Sequence, residues 1–140
     1  MMEHIEHAAI TSTLVPESGR LKFLPRHFDF YGTVFERELY AQMRHLCEHY
    51  TGGLWEFHEL DNGGCYLAPS ERQTYRLIVS GNGFDGTVDA ETAGIVATLF
   101  ALSHLSFRFP SIDVFAERFH QLREFACEHP KRRMIFAAID

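Results

Sequence analysis

Residues 78–95 read IVSGNGFDGTVDAETAGI, and the meaning of this stretch decides the fold. Gly81, Gly83 and Gly86 have the G-x-G-x-x-G spacing of a dinucleotide-binding loop. A strand-like run precedes them and a helix-like run follows. A mononucleotide-binding βαβ unit also needs a second parallel strand after its helix, with an acidic residue about 20 residues on. Here the helix leads into Phe107, Arg108, Phe109 and Pro110, and then into more helix. Asp85 would also set a negative charge beside any pyrophosphate. The preferred reading is a glycine turn that lets a strand reverse closely into a helix. A calcium loop fares no better, because Thr92 stands where a bidentate glutamate belongs.

Outward from this stretch the periodicity is regular. Residues 33–50 carry Phe35, Leu39, Met43, Leu46 and Tyr50 on one helical stripe, stopped by Gly52 and Gly53. Residues 54–60 and 65–68 read as two strands. Asn62-Gly63 between them suits a type I′ turn, since both residues tolerate positive φ. That turn would set Leu60 opposite Cys65 and Phe57 opposite Ala68. Trp55, Phe57, Tyr66 and Ala68 would then share a face. Residues 73–80 alternate as a third strand. A helix follows from a cap at Thr87 or Asp89 to about residue 106, apolar nearly all round as befits a central helix. Two further helical pieces start near Ser111 and Pro130. The predicted plan is α+β: a small three-stranded antiparallel meander packed with about four helices in a single domain, residues 21–140. Residues 1–20 read as a flexible N-terminal segment, and residues 21–24 as a short extended piece halted by Pro25.

With 140 residues, 46% apolar content and 13 phenylalanines, the chain can bury a real core. A net charge of −6, scattered along the chain, argues against strong direct DNA binding and against a densely acidic DNA mimic. Cys47, Cys65 and Cys127 are widely spaced, an odd count with no C-x-x-C, so neither a disulfide framework nor a zinc knuckle is expected. No signal-peptide pattern is visible and the apolar run 93–102 is too short to span a bilayer. A cytoplasmic protein without membrane association is expected.

His45, Glu48 and His49 match H-x-x-E-H, which on a continuous helix would put two histidines on one face for zinc. Nine histidines in the chain make chance matches easy. Two boundary histidines are the preferred reading, with a metal-dependent hydrolase on His45, Glu48 and His49 as the alternative. No nucleophile elbow or P-loop is present, so no catalytic residue and no cofactor is assigned. Lys131, Arg132 and Arg133 read as helix-end charge.

Several stretches together resemble one family. GGLWEF (52–57), LDNGGCYLAP (60–69), GNGFDG (81–86), AGI (93–95), HQLREFA (120–126) with HP (129–130), and RLKFLPRHF (20–28) resemble in order and spacing the KlcA/ArdB antirestriction proteins. The resemblance covers roughly residues 14–140. Cys65 departs from the pattern, as does Thr87 where serine is common. The resemblance implies an accessory protein of plasmids and other mobile elements that alleviates host type I restriction-modification. It implies a similar α+β fold and no established enzymatic activity or cofactor. The partner expected is the type I complex or an associated host factor, met by a monomer. Candidate partner contacts are Arg20, Glu36 and Trp55, with the turn Asn62, Gly63 and Gly64 nearby.

Overall fold

A computed structural model of the chain describes residues 9–140. Its axis is helix α3 (Ala90–Arg108), which is buried over most of its length. Asp89 caps it, its carboxylate accepting the Thr92 N–H at 2.8 Å. By length and composition α3 could cross a membrane, but most of that stretch is buried in the protein core. Around it pack α2 (Gly32–Leu46), α4 (Asp113–Glu128) and α5 (Arg132–Ile139). Helix α1 (Arg20–Phe28) lies beside α2, giving five helices rather than about four.

The strands form two sheets, not one meander. Strands β1 (Ser12–Leu14), β2 (Trp55–Leu60) and β3 (Cys65–Pro69) make an antiparallel sheet in that order. Strands β4 (Tyr75–Val79) and β5 (Phe84–Val88) form a separate hairpin. The expected third strand is therefore β4, and its partner is the second half of the glycine-rich stretch. Gly83 takes φ +77°, and the Asn82 side-chain oxygen receives the Phe84 N–H at 2.9 Å. The Gly81–Gly86 motif is thus a turn and an antiparallel strand, a geometry that no dinucleotide loop has.

Three further expectations are corrected. Residues 9–20, expected to be flexible, supply β1 and a 3-10 turn at Glu17–Gly19. Buried Val15 anchors them, donating its N–H to the Phe57 carbonyl at 2.8 Å, and Thr11 bonds the Asp61 carboxylate twice. The rest of that expected segment, residues 1–8, lies outside the described residues. Residues 21–24 are helical, with Pro25 inside α1. Proline gives up one helix bond, and burial of Phe23, His27 and Phe28 on one face outweighs that loss.

The β2–β3 register is also one residue away from expectation. Phe57 pairs with Leu67 and His58 with Tyr66. Among the described non-glycine residues only Asp29 has positive φ, so Asn62 does not, and a type I′ turn is ruled out. Asn62 is held instead by its side chain. Its oxygen receives the Gly64 N–H at 3.0 Å and its Nδ2 donates to the Gln121 carbonyl at 2.9 Å. Gly63 alone goes left-handed, at φ +93°, and the loop takes in one more residue. Trp55 and Phe57 consequently share a face with Leu67, and Tyr66 and Ala68 with Glu56 and His58.

Candidate interaction surface

The strongest surface feature is the elbow between α1 and α2. Phe28 ends α1 and stacks on Phe35 of α2 at 4.1 Å between ring centroids. Gly32 lies against Leu24, where an added Cβ would come within 2.8 Å of the Leu24 Cβ, so only glycine fits this close approach. Between these contacts the chain turns at Asp29, with φ 51° and ψ −119°, a conformation that L-residues adopt at a cost. A 3-10 turn, Asp29–Tyr31, then leads into α2. The turn drives Phe30 outward to 98% exposure, and Leu21 on α1 is 92% exposed.

Between the two helices and β2 lies a cleft of about 400 Å³, lined among others by Arg20, Leu24, Pro25, Phe30, Glu36 and Phe57. The Arg20 guanidinium carbon stands 5.8 Å from the Phe57 ring centroid, a cation–π placement. Its Nε is buried with no acceptor among the described residues. Glu36 accepts the Tyr40 hydroxyl at 3.3 Å. Burial and Glu36 together raise the Tyr40 pKa, so this hydroxyl stays a donor.

Arg20 and Glu36, picked out from sequence, thus line one cleft. Trp55 does not join them as a partner anchor. It is 4% exposed, lies against Tyr40 and Tyr50, and donates Nε1–H to the Tyr50 hydroxyl at 2.8 Å. The Asn62–Gly63–Gly64 turn is engaged by α4, with Gln121 Nε2 donating to the Asn62 carbonyl at 3.1 Å. Cβ atoms at Gly63 and Gly64 would each meet the Gln121 side chain. Sequence reasoning missed Leu21, Asp29 and Phe30. Residue type alone does not mark Leu21 or Phe30 as exposed; the backbone path at Asp29 turns Phe30 outward, and Leu21 projects from the outer face of α1.

The zinc alternative fails on geometry. Helix α2 ends at Leu46, with Cys47 extended, so His49 lies beyond the helix and the i, i+4 face does not exist. His45, Glu48 and His49 are all exposed. Among the described residues, no group of three His, Cys, Asp or Glu side chains is placed to hold a metal ion. Cys47, Cys65 and Cys127 are free, and burial pushes the Cys65 thiol up to about 12.

One polar cluster deserves comparison with an acid–base site. Glu91 accepts the Tyr66 hydroxyl at 3.0 Å and pairs with His129 Nε2 at 2.7 Å, and the Tyr66 hydroxyl also meets Ser12 at 3.1 Å. His129 Nδ1 accepts the Lys131 N–H at 2.9 Å, so its ring proton sits on Nε2 and points at Glu91. The His129 bond, and secondarily the Tyr66 bond, lower the Glu91 pKa. Both ring nitrogens of buried His129 are engaged, leaving no lone pair for a substrate proton. The cluster ties α3, α4 and the three-stranded sheet together.

The fold and this surface define a small α+β protein with an apolar, charge-edged cleft between α1 and α2. The chain belongs to the antirestriction protein family, whose model matches residues 48–140. It is 43% identical over 135 residues to the antirestriction protein KlcA of Escherichia coli, covering 94% of this chain and 95% of that one. It is 36% identical over 135 residues to YafX of Escherichia coli K12, covering 94% and 88%. Among solved structures, one matches at a TM-score of 0.89 and 42% identity, over 99% of this chain and 100% of the other. It comes from work on KlcA and ArdB that describes a novel fold, with antirestriction activity against type I DNA restriction systems in vivo but not in vitro.

Proposed function

We propose that this chain alleviates type I restriction-modification and so protects incoming mobile-element DNA, acting in the cytoplasm by binding a protein rather than by catalysis. The observation that carries this reading is the near-complete match, in sequence and in fold, to the KlcA/ArdB structure. Activity of those proteins in vivo but not in vitro favours a target that includes something the cell supplies. That target is the restriction complex in its working state or a host factor it depends on. The net charge of −6 supports a protein target over direct DNA binding.

The test is phage plating efficiency on cells with a type I restriction system, with and without this chain expressed, and a type II system in parallel. Raised plating against type I alone is the expected result. Unchanged plating with folded protein present would overturn the reading.

A further inference from the structure

We infer that the α1–α2 cleft is the contact surface and that it takes a short segment of a partner protein carrying a bulky apolar side chain between an acidic and a basic residue. The inference rests on the antirestriction reading for its cellular setting only. Three observations point to the cleft. Phe30 and Leu21, at 98% and 92%, are the most exposed large apolar side chains in the described structure. Isolated exposed apolar side chains need no explanation, but two beside an apolar cleft make a patch that association would cover. Second, the residue that projects Phe30 is Asp29, whose φ of 51° is the one positive value among described non-glycine residues. Backbone strain of this kind collects at binding and switch sites.

Third, the charges identify the occupant. Arg20 has no hydrogen-bond acceptor among the described residues beyond its position over Phe57. Asp29 and Glu36, which also line the cleft, have no cationic partner among the described residues. One positive and two negative groups thus flank an apolar floor of Leu24, Pro25 and Phe57. A nucleic acid would meet an excess of negative charge here. A wholly apolar segment would bury the Arg20 and Glu36 charges without an opposite charge, at a large cost. A segment with an apolar anchor, a carboxylate for Arg20 and a cation for Asp29 and Glu36 satisfies every group.

The test has two arms, both with the full chain in cells. In the first, Leu21→Ser combined with Phe30→Ser is compared with Leu54→Ser and Phe107→Ser, exposed apolar side chains that do not line the cleft. Exposure of all four predicts unchanged unfolding midpoints. The cleft variant is expected to lose about tenfold or more of the protection, while the other two keep it. In the second arm Phe30 is replaced by photoreactive p-benzoylphenylalanine, and the cross-linked peptide is sequenced. The expected product is a peptide of a restriction subunit or host protein with an apolar residue flanked by an acid and a base.

Full protection by a folded cleft variant would overturn the inference. So would a cross-link to a second copy of the chain, to DNA or to a peptide without that pattern, and so would no cross-link at all. If the unaltered chain gives no protection, the antirestriction reading falls, and the cross-link alone decides the surface.

Discussion

Asp29 shows how one residue shapes the surface. Its φ of 51° and ψ of −119° suit the first central position of a type II′ turn, where glycine is at ease. Asp29→Gly should therefore raise stability by about 1 kcal/mol, read as a higher midpoint in chemical denaturation. The same variant should protect less well, because it removes one carboxylate of the cleft; a stabilised variant with full protection would count against a role for that charge. Gly94 is constrained for the opposite reason. A Cβ there would lie 2.3 Å from the Leu67 carbonyl oxygen and 2.5 Å from the Ala68 Cα, both backbone atoms that cannot yield cheaply. Gly94→Ala should destabilise by about 1–3 kcal/mol despite the better helix propensity of alanine. Arg20 was legible in sequence through the stretch that resembles the antirestriction family, and Glu36 as a charge at the start of a helix. Phe30 was not, because exposure depends on the path of the chain and not on residue type.

The sheet edge exposes a rule at the scale of elements. Strand β3 is an edge strand, and an open edge invites pairing with other chains. Helix α3 covers it with a hydroxyl: Thr98 Oγ1 receives the Leu67 N–H at 3.3 Å and donates to the Leu67 carbonyl at 3.4 Å. The close approach that Gly94 permits, one helical turn away, is what brings Thr98 within reach. Thr98→Val keeps the shape and strips both partners from a buried backbone pair, so it should cost about 1–3 kcal/mol in chemical denaturation. A variant as stable as the parent would show that the edge needs no cover. Helix α2 was legible because its apolar stripe holds the helical period over several turns, and α3 because it is a long run, apolar nearly all round, behind the Asp89 cap. Strand β5 was not, since FDGTV is five residues broken by glycine and its pairing is visible only beside β4. The β2–β3 register escaped because Asn62 is fixed by Gln121 of α4, a contact 59 residues away.

Across the whole molecule, stability should depend on pH through one buried and one half-buried imidazole. His27 is buried with Nε2 at 2.6 Å from Glu59, and His58 stacks on Tyr66 at 4.6 Å. Burial lowers the pKa of both from the ordinary 6.5, and it outweighs the opposing pull of Glu59 on His27 and of Glu91 and Glu56 on His58. The native state therefore holds these rings neutral at pH values where the unfolded chain already binds protons. The linkage sign follows: the contribution is fully present above pH 6.5 and is lost as the pH falls toward the lowered native values. Glu91 acts in the same direction further down. Its pKa is held below 4.5, chiefly by His129, so its contribution is lost on further acidification. Thermal unfolding midpoints measured between about pH 7.5 and about pH 5 should fall steadily below neutrality. His27→Gln keeps a donor for Glu59 but cannot titrate, and should flatten that slope. A midpoint that held constant or rose on acidification would mean that Glu59 outweighs burial, and that His27 is carried in the fold as a cation.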